Sequence, residues 1–147
     1  MLKGQHIKIG IGADHAGLSL KAAIMMQLHD QAINDFGTYT TDSVDYTDYA
    51  HVIAQAIEDK EIDYGILICG SGIGMSMAAN RHKGVRAALC LTQEMARLAR
   101  QHNDANVLVL GARLIDETTA HAIVQTFLTT DFERGRHERR VQKIEGK

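Results

Sequence analysis

The 147-residue chain balances 16 Lys and Arg against 18 Asp and Glu for a net charge of −2, with 45% hydrophobic and 23% charged residues. That length fits one domain over 1–147 and lets it bury roughly 70% of its unfolded surface. Near-neutrality supplies no field toward nucleic acid or anionic lipid, and no stretch approaches the ~20 apolar residues of a bilayer span. The start, MLKGQHIKIGIG, has no continuous apolar segment and no small-residue cleavage site, so a first strand of a cytoplasmic protein is expected rather than a signal peptide. Cys69 and Cys90 are too few for a disulfide framework, and their separation matches no zinc spacing. Proline is absent, so the turns rest on Gly, Asn and Asp.

Apolar runs alternate with helical patterns. IKIGIG, residues 7–12, predicts a first strand ending at Ala13-Asp14-His15, and Leu20, Ala23, Ile24 and Leu28 then fall at helical spacing. AINDFG holds a short strand ending near Phe36, and Tyr46, Tyr49, Ala50, Ile53 and Ile57 form the next helical face. YGILIC is the third strand, followed by the glycine turn and a helix through Met77 to Asn80. VRAALC predicts the fourth strand, a helix follows from Gln93 to His102, and NVLVLG the fifth strand. Asp116 suits an N-cap for a last long helix whose Ala120, Ile123, Val124, Phe127 and Leu128 make one apolar stripe.

Strands that are nearly continuous hydrophobic runs, each followed by a helix, imply a parallel sheet covered on both faces. The expected fold is a single doubly wound, Rossmann-like α/β domain of about five strands, with a charged C-terminal tail over 131–147. Ligands of such folds lie beyond the carboxyl ends of the strands. That rule selects Asp14-His15, the turn Cys69 to Gly74, and Gly111-Ala112-Arg113.

In the turn CGSGIG, Gly70, Gly72 and Gly74 alternate with Ser71 and Ile73 where a strand meets a helix. Glycines let backbone approach a ligand, and a helix N-terminus offers free N–H groups, so an anion or oxyanion cradle is expected over a plain tight turn. No Lys-Ser/Thr pair follows, which excludes a P-loop. A weaker dinucleotide signal comes from Gly10, Gly12 and Gly17 with Asp35 at a ribose-binding distance, but His15 occupies the position that the fingerprint needs as glycine.

Cysteines ending buried strands are usually small hydrophobes, and Cys90 reads so. Cys69 differs because a helix N-terminus follows it, favouring negative charge on its sulfur. His102 continues the Met95, Leu98, Ala99 face, the position of a core histidine, yet it lies at a helix end beside Asn103. His6, His29, His51, His82 and His121 read as solvated or packing residues. In the tail DFERGRHERRVQKIEGK, Arg136 and Arg140 stand four apart, on one side of a helix if one forms, and could clamp a phosphate. The tail has few apolar residues to hold it to its own domain, so packing on a neighbouring subunit is expected.

Together GADHAG, DFGTYT, DYTDYA, ILICGSGIGMSMAANR, GVRAAL, ARQHNDANVLVLGAR and GRHERRV resemble the type B ribose-5-phosphate isomerases, the family shared with galactose-6-phosphate isomerase, from about Ile7 to Val141. The resemblance implies an aldose–ketose isomerase of the pentose phosphate pathway that needs neither metal nor other cofactor. It implies a homodimer or homotetramer with the site at a subunit interface, acting on a small phosphorylated sugar rather than on nucleic acid or membrane. By it, Cys69 matches the proton-shuttling base and His102 the residue that helps open the sugar ring. Asp14, His15, Gly70, Ser71, Gly72, Ile73, Gly74, Asn103, Arg113, Arg136 and Arg140 match substrate-binding positions. Some family members use a glutamate in the turn region, where this chain has Met75, and Thr47 stands where the family usually has proline. Other sugar phosphates (allose 6-phosphate, erythrulose 4-phosphate, galactose 6-phosphate) and a non-catalytic sugar-phosphate or nucleotide module are the alternatives.

Overall fold

A computed structural model describes residues 6–146; Met1 to Gln5, part of the start read above, and Lys147 lie outside them. The elements are β1 (Lys8–Ala13), α1 (Leu18–Gln27), β2 (Ala32–Asp35), α2 (Tyr46–Glu58), β3 (Tyr64–Cys69), α3 (Ile73–Ala79), β4 (Ala87–Leu89), α4 (Gln93–Asn103), β5 (Val107–Gly111), α5 (Glu117–Thr129) and α6 (Arg136–Gln142). All strand pairings are parallel, in the order β2-β1-β3-β5-β4. The doubly wound α/β fold expected from the sequence is the fold observed. VRAALC contributes only three strand residues, because β4 is an edge strand paired with β5 alone.

Two apolar layers sandwich the sheet. On one side Ile9, Ile11, Ile66, Ile68, Leu108 and Leu110 pack against α1, α4 and α5; on the other, Leu67, Cys69, Val107 and Val109 pack against α2 and α3. The alternation follows from the two-residue period of a strand. Ala120, Ile123, Val124, Phe127 and Leu128 of α5 are all buried, as their spacing predicts. Phe127 is fully buried, worth roughly 2–3 kcal/mol of apolar transfer. Asp116 caps α5 by accepting from the Thr119 N–H at 2.7 Å.

The glycines at and after β1 serve this packing rather than a nucleotide. A Cβ on Gly10 would lie 2.7 Å from Ile62 and 3.1 Å from Ile53, and one on Gly17 would lie 2.6 Å from the Ile68 carbonyl oxygen. Asp35, the candidate ribose acid, accepts from the buried Lys21 ammonium at 2.7 Å and from the Gly37 N–H at 2.9 Å. Gly12 is close-packed too, a Cβ there lying 3.2 Å from Ile53, so each part of the dinucleotide signal has a structural role. The departure at Thr47, expected from the sequence to bear on the rigidity of a loop, falls instead in the first turn of α2, where proline would fit because that turn's N–H groups have no helical partners.

Candidate active site

Register places the site. Cys69 pairs with Gly111 across β3 and β5, and Ile68 pairs with Ala13, which sets Asp14 beside Cys69. β1 and β5 lead into helices on one face of the sheet, whereas β3 between them leads into α3 on the other. Neighbouring strands whose chains diverge leave a crevice at their carboxyl ends. A cavity of about 630 Å³ fills it, lined by Asp14, Tyr46, Cys69, Gly70, Ser71, Ile73, Gly74, Met77, Arg113 and Leu114.

Cys69 is only 5% exposed, and the Gly72 N–H donates to its sulfur at 3.1 Å. Gly72 can point that N–H inward because its φ is +79°; a Cβ there would lie 2.5 Å from Leu89 and 3.2 Å from the Leu110 carbonyl. The turn is held by β5: Ala112 N–H donates to the Cys69 carbonyl at 2.8 Å, and Arg113 N–H to the Gly70 carbonyl at 3.0 Å. The Arg113 guanidinium then lies over Gly70. The result is a thiol facing a cavity walled by backbone amides and one cation.

Asp14 is buried, and its Oδ1 accepts from the N–H groups of Ala16 (2.9 Å) and Gly17 (3.2 Å), leaving Oδ2 for a ligand. His15 accepts from the Val44 N–H through Nδ1 at 3.2 Å. A neutral His15 ring therefore carries its proton on Nε2 and is a donor there. Tyr46 was not among the candidates, since helical spacing assigned it to a packed face. Instead it stands at the start of α2 with its ring against Gly74, on the cavity wall. The available signal was Gly74 itself: a third glycine in the turn marks a bulky neighbour.

His102, Asn103, Arg136 and Arg140 are absent from this wall. They lie at the other edge of the sheet, because α4 runs back against the strands and ends just before β5 begins. A six-residue strand such as β3 spans roughly 20 Å, which sets the scale of the separation. His102 is not a core histidine. Its side chain is 39% exposed, its ring stacks on His137 at 4.2 Å, and its Nε2 lies 3.5 Å from Glu133 Oε1. Asn103 is exposed on a second cavity of about 310 Å³ beside Arg86 and Ile144.

The tail is more tightly held than its composition suggests. It forms α6, whose buried His137 packs on α4, and Glu133 N–H donates to the Gln101 carbonyl at 3.0 Å. An imidazole supplied the apolar contact that a count of aliphatic residues misses. Helix formation does put Arg136 and Arg140 one turn apart, both exposed. Burial, then the charges of His102 and Arg136, hold the His137 ring below the ordinary imidazole range.

His102, Glu133 and His137 bring one ligand atom each within 4.8 Å of one another. Their arrangement does not suit a cation. The His102 and His137 rings are 14° from parallel, so their lone pairs do not converge, and Arg136 and Arg140 add positive charge beside His137. Burial pushes the Cys90 thiol up to about 12, consistent with a packing role. His51 and His82, read from the sequence as solvated or packing residues, share a hydrogen bond of 2.7 Å between α2 and the segment that follows α3. Among the described residues no helix is long and apolar enough to cross a membrane.

Comparison with known proteins agrees with this fold. The ribose/galactose isomerase family matches residues 9–144. Ribose-5-phosphate isomerase B of Escherichia coli is 43% identical, the match covering 93% of each chain. The crystal structure of a ribose 5-phosphate isomerase from Thermotoga maritima superposes with a TM-score of 0.92 at 54% identity, covering 95% of this chain and 98% of that one. The enzyme of Mycoplasma genitalium, solved with bound ribulose-5-phosphate, gives 0.87 at 42% identity over 93% of each chain. With a strand-end thiol on a three-glycine turn and this match along nearly its whole length, the chain is an isomerase and belongs to the ribose/galactose isomerase family.

Proposed function

We infer that this enzyme interconverts ribose 5-phosphate and ribulose 5-phosphate in the cytoplasm, in a site shared by two copies of the chain. The observation that carries this reading is the partition of the candidate residues. One edge of the sheet offers a thiol, amides and Asp14, while the opposite edge offers His102, Asn103 and two arginines. Neither half suffices for a phosphorylated sugar that must be opened, deprotonated and held. A second copy that brings its His102 edge to the Cys69 cavity completes the set. Ile73, Met77 and Leu114, exposed at the rim of that cavity, give such a copy apolar surface to bury.

The chemistry then divides by residue. His102 moves a proton to and from the ring oxygen, a task within the reach of an imidazole near neutral pH. The Cys69 thiolate takes the proton from C2; the electrons of that bond form the C1–C2 double bond of a cis-enediolate as the C1 carbonyl becomes an oxyanion. The N–H groups of the glycine turn face the developing charge. A proton passes between the two oxygens, and the thiol returns its proton to C1 on the same face, giving the ketose. Asp14 and Asn103 align the hydroxyls, while His15, Arg136 and Arg140 hold the phosphate away from the reacting carbons.

The test is isomerisation of ribose 5-phosphate measured against allose 6-phosphate, erythrulose 4-phosphate and galactose 6-phosphate. Highest kcat/KM on ribose 5-phosphate is expected. A clear preference for one of the others would replace the substrate, and turnover of none would replace the reaction.

A further inference from the structure

We propose that Asp104, held between Arg86 and Arg100, is a positioning residue that fixes His102 and Asn103 for ring opening. The inference rests on the reading of His102 given above and extends it to residues that touch no sugar. His102 and Asn103 are the last two residues of α4, in the turn where a helix loses its carbonyl partners and frays. Asp104 stops the helix with φ +48°, and its N–H and that of Ala105 return to the carbonyls of Arg100 (3.3 Å) and Ala99 (3.0 Å). Glycine or asparagine would serve such a turn as well. A carboxylate here faces the negative end of the helix dipole and is unfavourable unless paired.

It is paired at both oxygens. Oδ1 accepts from Arg100 Nη1 at 2.9 Å and Oδ2 from Arg86 Nη2 at 3.3 Å, while Arg86 Nε donates to the Asp104 carbonyl at 2.9 Å. Arg100 is 5% exposed and also donates to the carbonyls of Ala105 (2.7 Å) and Thr130 (3.1 Å), with its guanidinium 5.0 Å from the Tyr64 ring. The clamp thus ties the end of α4 to the start of β3, to the segment entering β4 and to the end of α5. A stop signal alone requires none of this. A turn that must hold an acid–base group in register with another subunit's thiol does.

Asp104→Gly keeps the left-handed backbone without strain and removes both ion pairs; Asp104→Asn keeps the backbone and one neutral acceptor. For each, kcat on ribose 5-phosphate is compared with solvent-deuterium exchange into ribulose 5-phosphate, which cannot close to a furanose and so bypasses ring opening. We expect Asp104→Gly to lose on the order of tenfold to a hundredfold on the ring-forming sugar, the scale of a 1 Å misplacement, and far less on exchange. Asp104→Asn is expected to recover part of the loss. Equal losses on both reactions, or no loss on either, overturn the positioning role and leave Asp104 a helix stop. If Asp104→Gly fails to fold, the same split in Asp104→Asn decides. A wild-type chain inactive on both sugars would remove the function and this inference together, whereas an active wild type with unsplit variants removes the inference alone.

Discussion

The two edges of the sheet are built from different materials. At the carboxyl edge the cavity is built around a backbone turn and one buried thiol, held by hydrogen bonds between the β3 and β5 turns, with Asp14, Tyr46 and Arg113 on its wall. At the amino edge, His102, Asn103, Arg136 and Arg140 are side chains presented from the ends of two helices. The first edge gains its precision from strand register and tolerates almost no added atom. The second depends on ion pairs and ring stacking, forces that respond to pH and salt. In the proposed division of labour, carbanion chemistry falls to the edge held by strand register and phosphate binding to the edge built of side chains.

The most severe way to break the comparison is at the sulfur. Cys69→Ala is expected to lower C2–C1 proton exchange by about 10³–10⁴-fold, the upper range for a lost proton-transfer group, with an unchanged circular dichroism spectrum. Co-expressing this chain with an Arg136→Ala/Arg140→Ala chain sharpens it. If each site takes its thiol from one copy and its arginines from the other, random pairing into two-fold dimers restores about a quarter of the sites. No recovery would place thiol and arginines of one site in the same chain.

By itself, Arg136→Ala/Arg140→Ala should raise KM for ribose 5-phosphate by roughly 10²–10⁴-fold, at about 1.5–3 kcal/mol for each charge-assisted contact. The preference for phosphorylated over unphosphorylated sugar should disappear with it. An unchanged KM would move the phosphate to the glycine turn and reverse the substrate.

Stability separates the edges too. Gly72→Ala forces a side chain onto a residue at φ +79° and against Leu89, and should cost about 2–4 kcal/mol by summed backbone and overpacking terms, read from urea unfolding. Glycine-to-alanine change at Gly84, with open space around it, carries only the backbone part.

The smallest effect is a pH dependence confined to the amino edge. His137 is held below the ordinary imidazole range by burial and by His102, Arg136 and Arg140, opposed by Glu133. A group depressed in the folded state binds fewer protons there than when unfolded, so its contribution is present above about 6.5 and is lost as pH falls through the folded value. Proteolysis within 131–146 should therefore quicken as pH drops below neutrality, and His137→Gln should flatten that dependence. Equal slopes in both proteins would assign the effect to another group.

Much of the carboxyl edge was legible in the sequence. Apolar runs and helical stripes are set by residues close in the chain, and in a parallel sheet each strand's end faces the same way. Asp14, Cys69 and Arg113 could thus be placed together before any coordinates. Tyr46 could not, because its contact with Gly74 joins segments whose approach depends on how α2 packs across the sheet.

The sequence by itself determined the elements, their parallel arrangement and the edge to which each turn belongs, since connectivity and local periodicity leave few alternatives. Tertiary structure decided the order β2-β1-β3-β5-β4, which flanks Cys69 with two strands leading to the opposite face. It decided that Gly10 packs against Ile53 and Ile62 rather than a nucleotide, and that Asp35 pairs with Lys21. It also docked the tail through His137 and left His102 half exposed. Each of these turns on a contact between distant segments, whose free energy depends on shape and burial that no local pattern encodes.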